Sequence, residues 1–270
     1  MIEIDGSYGE GGGQILRTSV SLSALTMEPV RISRIRTGRP KPGLKRQHLV
    51  GIELLSRMVN AETMGLEIGS TTIEFIPRKR KGGEFSYDVG TAGSISLILQ
   101  AALPTAVFAP EPVKLALTGG TDVSWSPPID YMRDVFVHNI QKMGPRIKIL
   151  LNKRGHYPRG GGRVECEIQP VTSISRLDSV QFGKTARVCG VSHCVRLPGH
   201  IAERQATAAE DLLRKQGILN IEITRESYAK NEDKHLGPGT GLVLWAESDL
   251  GWRVGYDQLG ARGKRAEDVG

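Results

Sequence analysis

The sequence predicts an α+β chain in which tandem βαβαββ units build a large domain and a smaller α+β unit follows. Three observations carry this. Displaced by 83 positions, the chain matches itself without a gap, residues 2–32 lying over residues 85–115. Within each copy, short apolar strands, glycine-rich turns and apolar helices alternate in the same order. After about residue 180 the self-match stops and a different pattern begins.

The first copy opens with a short strand at residues 2–5, then a glycine-rich turn at 6–14 and an apolar helix ending before Pro29. Another strand begins near Val30. A second helix over residues 44–59 places Leu49, Ile52, Leu55 and Val59 on one stripe. In the second copy Asp88 falls on Asp5 and Glu111, Pro112 and Val113 fall on Glu28, Pro29 and Val30; its second helix spans about 129–143. Two strands close each copy, at 71–76 in the first and at about 146–151 and 164–168 in the second, where the final hairpin carries a basic glycine loop, 154–163. Strands at 185–195, 221–225 and 241–247 with an Ala-rich helix at 200–215 form the smaller unit. The expected division is a large domain over 1–180, its copies at about 1–84 and 85–180, a small insert domain over 181–262, and a return toward the large domain at 263–270.

Composition excludes several classes. With 39% hydrophobic and 24% charged residues over 270 positions, the chain can bury a sizeable core, so disorder is not its main state. The 33 glycines show no period of three, which excludes a collagen-like helix. The longest apolar stretch, 95–109, is interrupted by Ser96, Gln100 and Pro104 and is shorter than the ~18–20 residues of a membrane span, so it is expected as a buried helix. The first ten residues hold three acids and no base, unlike a secretory leader, and a cytoplasmic protein without membrane contact is expected. Cys166, Cys189 and Cys194 have no CxxC spacing and are expected as reduced thiols without disulfide partners. Cys189, His193 and Cys194 are zinc-ligand types, but on a strand residues five apart point to opposite faces, which argues against a metal there.

The net charge of +7 is unevenly placed. Residues 30–52 hold Arg31, Arg34, Arg36, Arg39, Lys41, Lys45 and Arg46; residues 135–164 hold Lys142, Arg146, Lys148, Lys153, Arg154, Arg159 and Arg163. Neither stretch holds an acid, and the rest of the chain is net acidic. Both are candidate contacts for a polyanion, the alternative being two solvated faces.

The turn at 6–14 joins a strand to a helix, where backbone N–H groups receive phosphate. It matches neither a Walker A nor a dinucleotide fingerprint. Arg17 lies one helical turn beyond Gly13, over that loop, and aligns with Gln100 in the second copy; both interrupt apolar helices, either to reach a shared ligand or to satisfy a structural hydrogen bond. Lys45 and Arg46 fall in a helix's first turn against the macrodipole, a cost of ~0.3–1 kcal/mol each that a bound anion would offset. Arg36 and Arg39 offer forked donors suited to phosphate oxygens. Glu10 fits a divalent metal bridging phosphates, or a charge on the helix dipole. The six histidines show no triad or HxxxH spacing.

GSYGEGGGQILRTS at 6–19, IRTGRPKPGLKRQH at 35–48, VGTAGSISLILQ at 89–100 and GGTDVSWSPP at 119–128 together resemble the RNA 3′-terminal phosphate cyclase family over nearly the whole chain. The resemblance implies three βαβαββ repeats with a small domain inserted in the third, so that the third repeat is missing from this chain. It implies ATP-dependent conversion of an RNA 3′-terminal phosphate to a 2′,3′-cyclic phosphodiester through enzyme-AMP and RNA-adenylate intermediates. Gln100, Glu10 and Arg17 would then bind ATP, with Glu10 also at a Mg or Mn ion, and Arg36, Arg39 and Gln47 would grip phosphates of ATP or the RNA end. The family's nucleophilic histidine matches none of the six here and is expected beyond Gly270. The alternative is a catalytically inactive, cyclase-like RNA-binding protein of ribosome biogenesis.

Overall fold

The computed structural model describes residues 1–270 and arranges them around three four-stranded sheets. The first unit runs β1 (Ile2–Asp5), α1 (Gly13–Thr26), β2 (Val30–Ser33), α2 (Arg46–Met58), β3 (Glu62–Met64) and β4 (Ile73–Ile76). Its sheet order is β1-β2-β4-β3, with β1 and β2 parallel and the remaining pairs antiparallel.

The second unit runs β5 (Gly83–Asp88), α3 (Ile95–Val107), β6 (Val113–Gly119), a helical stretch, β7 (Arg146–Lys153) and β8 (Gly162–Gln169). Its order, β5-β6-β8-β7, and its pairing senses are those of the first sheet. The register differs by two. Ile4 lies opposite Ile32, whereas Tyr87 lies opposite Leu117, two residues beyond the self-match. An even slip keeps every side chain on its original face, so the apolar pattern tolerates it.

Three elements depart from the sequence reading. Residues 71–76 supply one closing strand, β4; its partner β3 is a three-residue, largely polar segment with no alternation to reveal it. α2 begins at Arg46, and Lys45 is its extended N-cap, so only Arg46 occupies the first turn. The 129–143 helix is composite: α4 (Ile129–Tyr131), a π-helical turn (Met132–Val137), α5 (His138–Ile140) and a 3₁₀ turn (Gln141–Met143).

The two units share one core. α3 packs against both α1 and α2, and ten of its thirteen residues are buried. Leu16, Leu54, Ile98 and Leu99 are essentially inaccessible, each worth roughly 1.5–3 kcal/mol of burial. The Ser21 hydroxyl on α1 donates to the Ala101 carbonyl on α3 at 2.7 Å, satisfying a buried polar group at the helix contact.

Residues 170–184 hold no regular element and lead to the third sheet, of order β10-β9-β11-β12. It contains β9 (Thr185–Val195), β10 (Ile221–Glu226), β11 (Gly239–Ser248) and β12 (Arg253–Leu259), with α6 (His200–Lys215) between β9 and β10. α6 covers one face through Ala206 and Ala209 against Ile223 and Leu242. The other face packs Cys189, Val191, Val243 and Trp245 against Val135 of the second unit. All three cysteines are buried and free. No helix is long and apolar enough to cross a membrane.

Candidate functional site

The starts of α1 and α2 and the loops before them come together, and their cations collect beside the small concavity between the two helices. The α1 loop is anchored by Asp5, whose Oδ1 accepts from the Ser7 N–H at 3.0 Å and from Arg34 Nε at 3.0 Å. α1 then begins with Gly12 as N-cap, with no side-chain cap and no acid in its first turn. Its first N–H groups therefore face outward with the positive end of the helix dipole, a ready anion site.

Arg17 lies over this loop. Its Nε is buried and has no hydrogen-bond partner, and burial pulls the guanidinium below its ordinary pKa. Opposite stands His48, three residues into α2. Its Nδ1 accepts the Lys45 N–H at 3.1 Å, which caps α2 and leaves the proton of a neutral ring on Nε2. Nε2 points at Gly13, where a Cβ would come within 2.4 Å; only glycine admits the ring. Arg17, Gln47 and His48 line a small shared cavity together with Leu97 and Ala101 of α3.

The basic loop folds back on itself. Arg36, at φ 55°, donates through Nη1 to the carbonyls of Lys41 and Gly43, both at 2.9 Å. Arg39 Nη2 stands 3.3 Å from Glu10 Oε2. Gln47 accepts the Ser94 N–H at 3.0 Å, tying α2 to the corresponding loop of the second unit. The cations repel one another: burial and Arg39 lower Arg36, while burial, Arg36 and Lys41 lower Lys45. Burial, with Arg36, Arg17 and Lys45 nearby, holds His48 down to about 4, so this imidazole is neutral at pH 7.

The structure thus gathers Glu10, Arg17, Arg36, Arg39 and Gln47 around the two helix starts. Gln100 is elsewhere: it is exposed on α3 and makes no hydrogen bond to this group, so it does not share the buried position expected from its alignment with Arg17. His48 and Ser94 enter the site without having been singled out. The sequence signal for His48 was its place at the third position of a helix whose cap needs an acceptor.

The second basic stretch is only partly available to a polyanion: Arg146, Arg159 and Arg163 are exposed without an acidic partner, whereas other members are engaged within the protein. Arg154 is 1% exposed and paired with Asp122, Asp130 and Glu226. Lys148 lies opposite Glu167 in the β7–β8 ladder, and Lys142 stacks over Trp252 at 4.9 Å. Charge counted along the chain could not show these partners, which are distant in sequence.

Comparison with known proteins gives a single answer. The family model described as RNA 3′-terminal phosphate cyclase matches residues 8–244. A relative of that name from Ignicoccus hospitalis is 56% identical over 270 residues, covering 100% of this chain and 76% of the relative. Others from Methanopyrus kandleri and Pyrococcus furiosus are 54% and 52% identical, each match covering 100% of this chain and 77% of the relative. With that family model spanning most of its length and relatives of more than 50% identity covering it completely, the chain belongs to the RNA 3′-terminal phosphate cyclase family.

Proposed function

We propose that this concavity holds the phosphates of ATP and the 3′-phosphorylated end of an RNA, for ATP-dependent closure of that end to a 2′,3′-cyclic phosphodiester. The observation that carries the reading is the buried, unpartnered Nε of Arg17 beside an uncapped helix start: both are donors in want of an anion.

The chemistry explains why donors dominate. A phosphate monoester is a poor electrophile because its leaving oxygen is bad. Transfer of AMP from ATP to the 3′-phosphate, with loss of pyrophosphate, makes AMP the leaving group, and attack by the adjacent 2′-oxygen expels it. Arg17 and the α1 N–H groups hold triphosphate oxygens, Arg36 and Arg39 hold the RNA phosphate, and Gln47 sets the distance between the two loops. Gln100, exposed on α3, is available to the nucleotide from outside the concavity. The adenylated histidine implied by the family resemblance matches none of the six present, so these residues bind and position.

A divalent ion fits at Glu10 as a single-carboxylate site. The Glu10 side chain is 92% exposed with Arg39 its ion-pair partner, which suits Mg²⁺ or Mn²⁺ held mainly by substrate phosphates. Such an ion neutralises developing charge on the phosphates. Buried free thiols agree with a reducing, cytoplasmic setting.

The test incubates the chain with ATP, Mg²⁺ and RNA ending in either a 3′-phosphate or a 3′-hydroxyl. Binding of ATP and an ATP-dependent preference for the first RNA are expected, and Arg17→Ala should abolish both. Equal binding of both RNAs, with no ATP-dependent change in either, would refute the reading.

A further inference from the structure

Asp122, His156 and His193 form a second polar cluster, sharing no residue with the concavity above. Asp122 and His156 lie on loops of the second unit joined by a backbone bridge. His193 arrives from β9 of the third sheet. Two glycines of β11 make room: a Cβ on Gly239 would meet the His156 ring at 2.0 Å, and one on Gly241 the His193 ring at 3.1 Å.

One ligand-type atom from each of the three lies within 4.8 Å of the others, His193 Nε2 being 3.9 Å from Asp122 Oδ1. All three side chains are buried, His193 completely at 0% exposure. Neither ring nitrogen of His193, nor Nε2 of His156, has a hydrogen-bond partner. Burying imidazole nitrogens unpaired is costly, so something should engage them. Charge points the same way. Arg154 and Arg133 face Asp122, Asp130, Asp134 and Glu226, two cations against four carboxylates in a largely buried network.

We propose that Asp122, His156 and His193 bind a divalent transition-metal ion of the zinc class, fastening the loops of the second unit to β9. Two imidazoles and one carboxylate suit such an ion better than Mg²⁺ or Ca²⁺. Ligand atoms around a tetrahedral ion with bonds of ~2.0–2.2 Å stand roughly 3.3–3.6 Å apart, so the ion would draw the three side chains together by up to about 1.5 Å. Asp122 and His156 also line a cleft of about 1060 Å³, an access path and a place for a fourth, solvent ligand. Arg154 Nη1, 3.2 Å from both Asp122 oxygens, fixes the carboxylate as outer partners of metal ligands do.

The proposal is independent of the cyclase reading. Its test treats the full chain with chelator, equilibrates it with CoCl₂ or ZnCl₂, desalts it, and measures metal by atomic emission. About one ion per chain should remain, and cobalt should show the visible bands of a four-coordinate nitrogen and oxygen site. His156→Gln and His193→Gln should each weaken retention roughly 100-fold or more. Glu10→Gln should retain the ion, separating this cluster from the phosphate site. Circular dichroism reports whether the variants fold. If they do not, zinc X-ray absorption on the wild type decides by the presence or absence of imidazole scattering. Wild-type protein keeping fewer than about one ion per ten chains, an all-oxygen ligand set, or undiminished retention by both histidine variants would overturn the assignment.

Discussion

Gln47 Oε1 accepts the backbone N–H of Ser94 at 3.0 Å, so the second helix of the first unit holds the loop that opens α3 in the second. Without that acceptor the Ser94 N–H is left unpaired in a half-buried place. Gln47→Ala is expected to cost about 1–3 kcal/mol of stability and to loosen ATP binding through the displaced loop. Urea titration and equilibrium ATP binding measure the two effects. Unchanged stability would mean that the contact is dispensable.

Gly13 and His48 compete for the same space. Gly13→Ala should push the His48 ring out of its seat, costing roughly 1–3 kcal/mol, and adding His48→Ala should restore most of the loss. A double-mutant cycle by thermal unfolding reads this. Strict additivity would show that the two do not meet.

His48 also sets an acid limit. Burial, Arg36, Arg17 and Lys45 hold its folded pKa at about 4, below the ordinary 6.5. Because the unfolded chain binds the proton first, stability from this group is complete above pH 6.5 and is lost as pH falls toward 4, by roughly 3 kcal/mol at most. His48→Gln should flatten that part of the stability profile, measured by denaturant unfolding at pH 7, 5.5 and 4.5. Identical slopes for wild type and variant would contradict the depressed value.

Arg39 is half exposed and paired only with Glu10 at 3.3 Å, so it is free to exchange that partner for a phosphate. Arg39→Ala should weaken capture of a 3′-phosphorylated RNA by ~1–3 kcal/mol and leave 3′-hydroxyl RNA nearly unaffected. The logarithmic salt slope should shrink by about 0.7 on single strands. Equal losses on both RNA ends would assign Arg39 to general backbone contact.

Arg154 stands among three carboxylates with essentially no solvent. Arg154→Met leaves those charges uncompensated and should cost about 3–5 kcal/mol, seen as a large drop in denaturation midpoint. A loss under about 1 kcal/mol would show that the acids take up protons cheaply.

The regular parts of this fold were legible because they repeat. The offset of 83 aligned β1 with β5 and α1 with α3, and apolar stripes located α2 and α6 to within two residues. β3 escaped because a three-residue, largely polar segment carries no period. The site was legible in part because glycine turns and forked cations are local signals. Gln100 lies exposed rather than buried: one polar residue in an apolar helix does not say which side of the helix it occupies. Arg154 misled for a different reason. Its partners lie 24, 32 and 72 residues away, so a count of neighbouring charges treats it as solvated. The Asp122, His156 and His193 group was hidden likewise, each member coming from a separate segment.

The π-helical turn at Met132–Val137 fixes the length of the link between two sets of contacts. Before it, Asp130 grips Arg154; after it, the Asn139 amide donates to the Arg253 carbonyl at 2.7 Å on the third sheet. The wide turn takes up one extra residue without turning the following residues to another face, as an insertion into ordinary helix would by about 100°. Deleting one of its residues should therefore spare both the ionic anchor and the bracket to β12, whereas a further insertion should lose one of them.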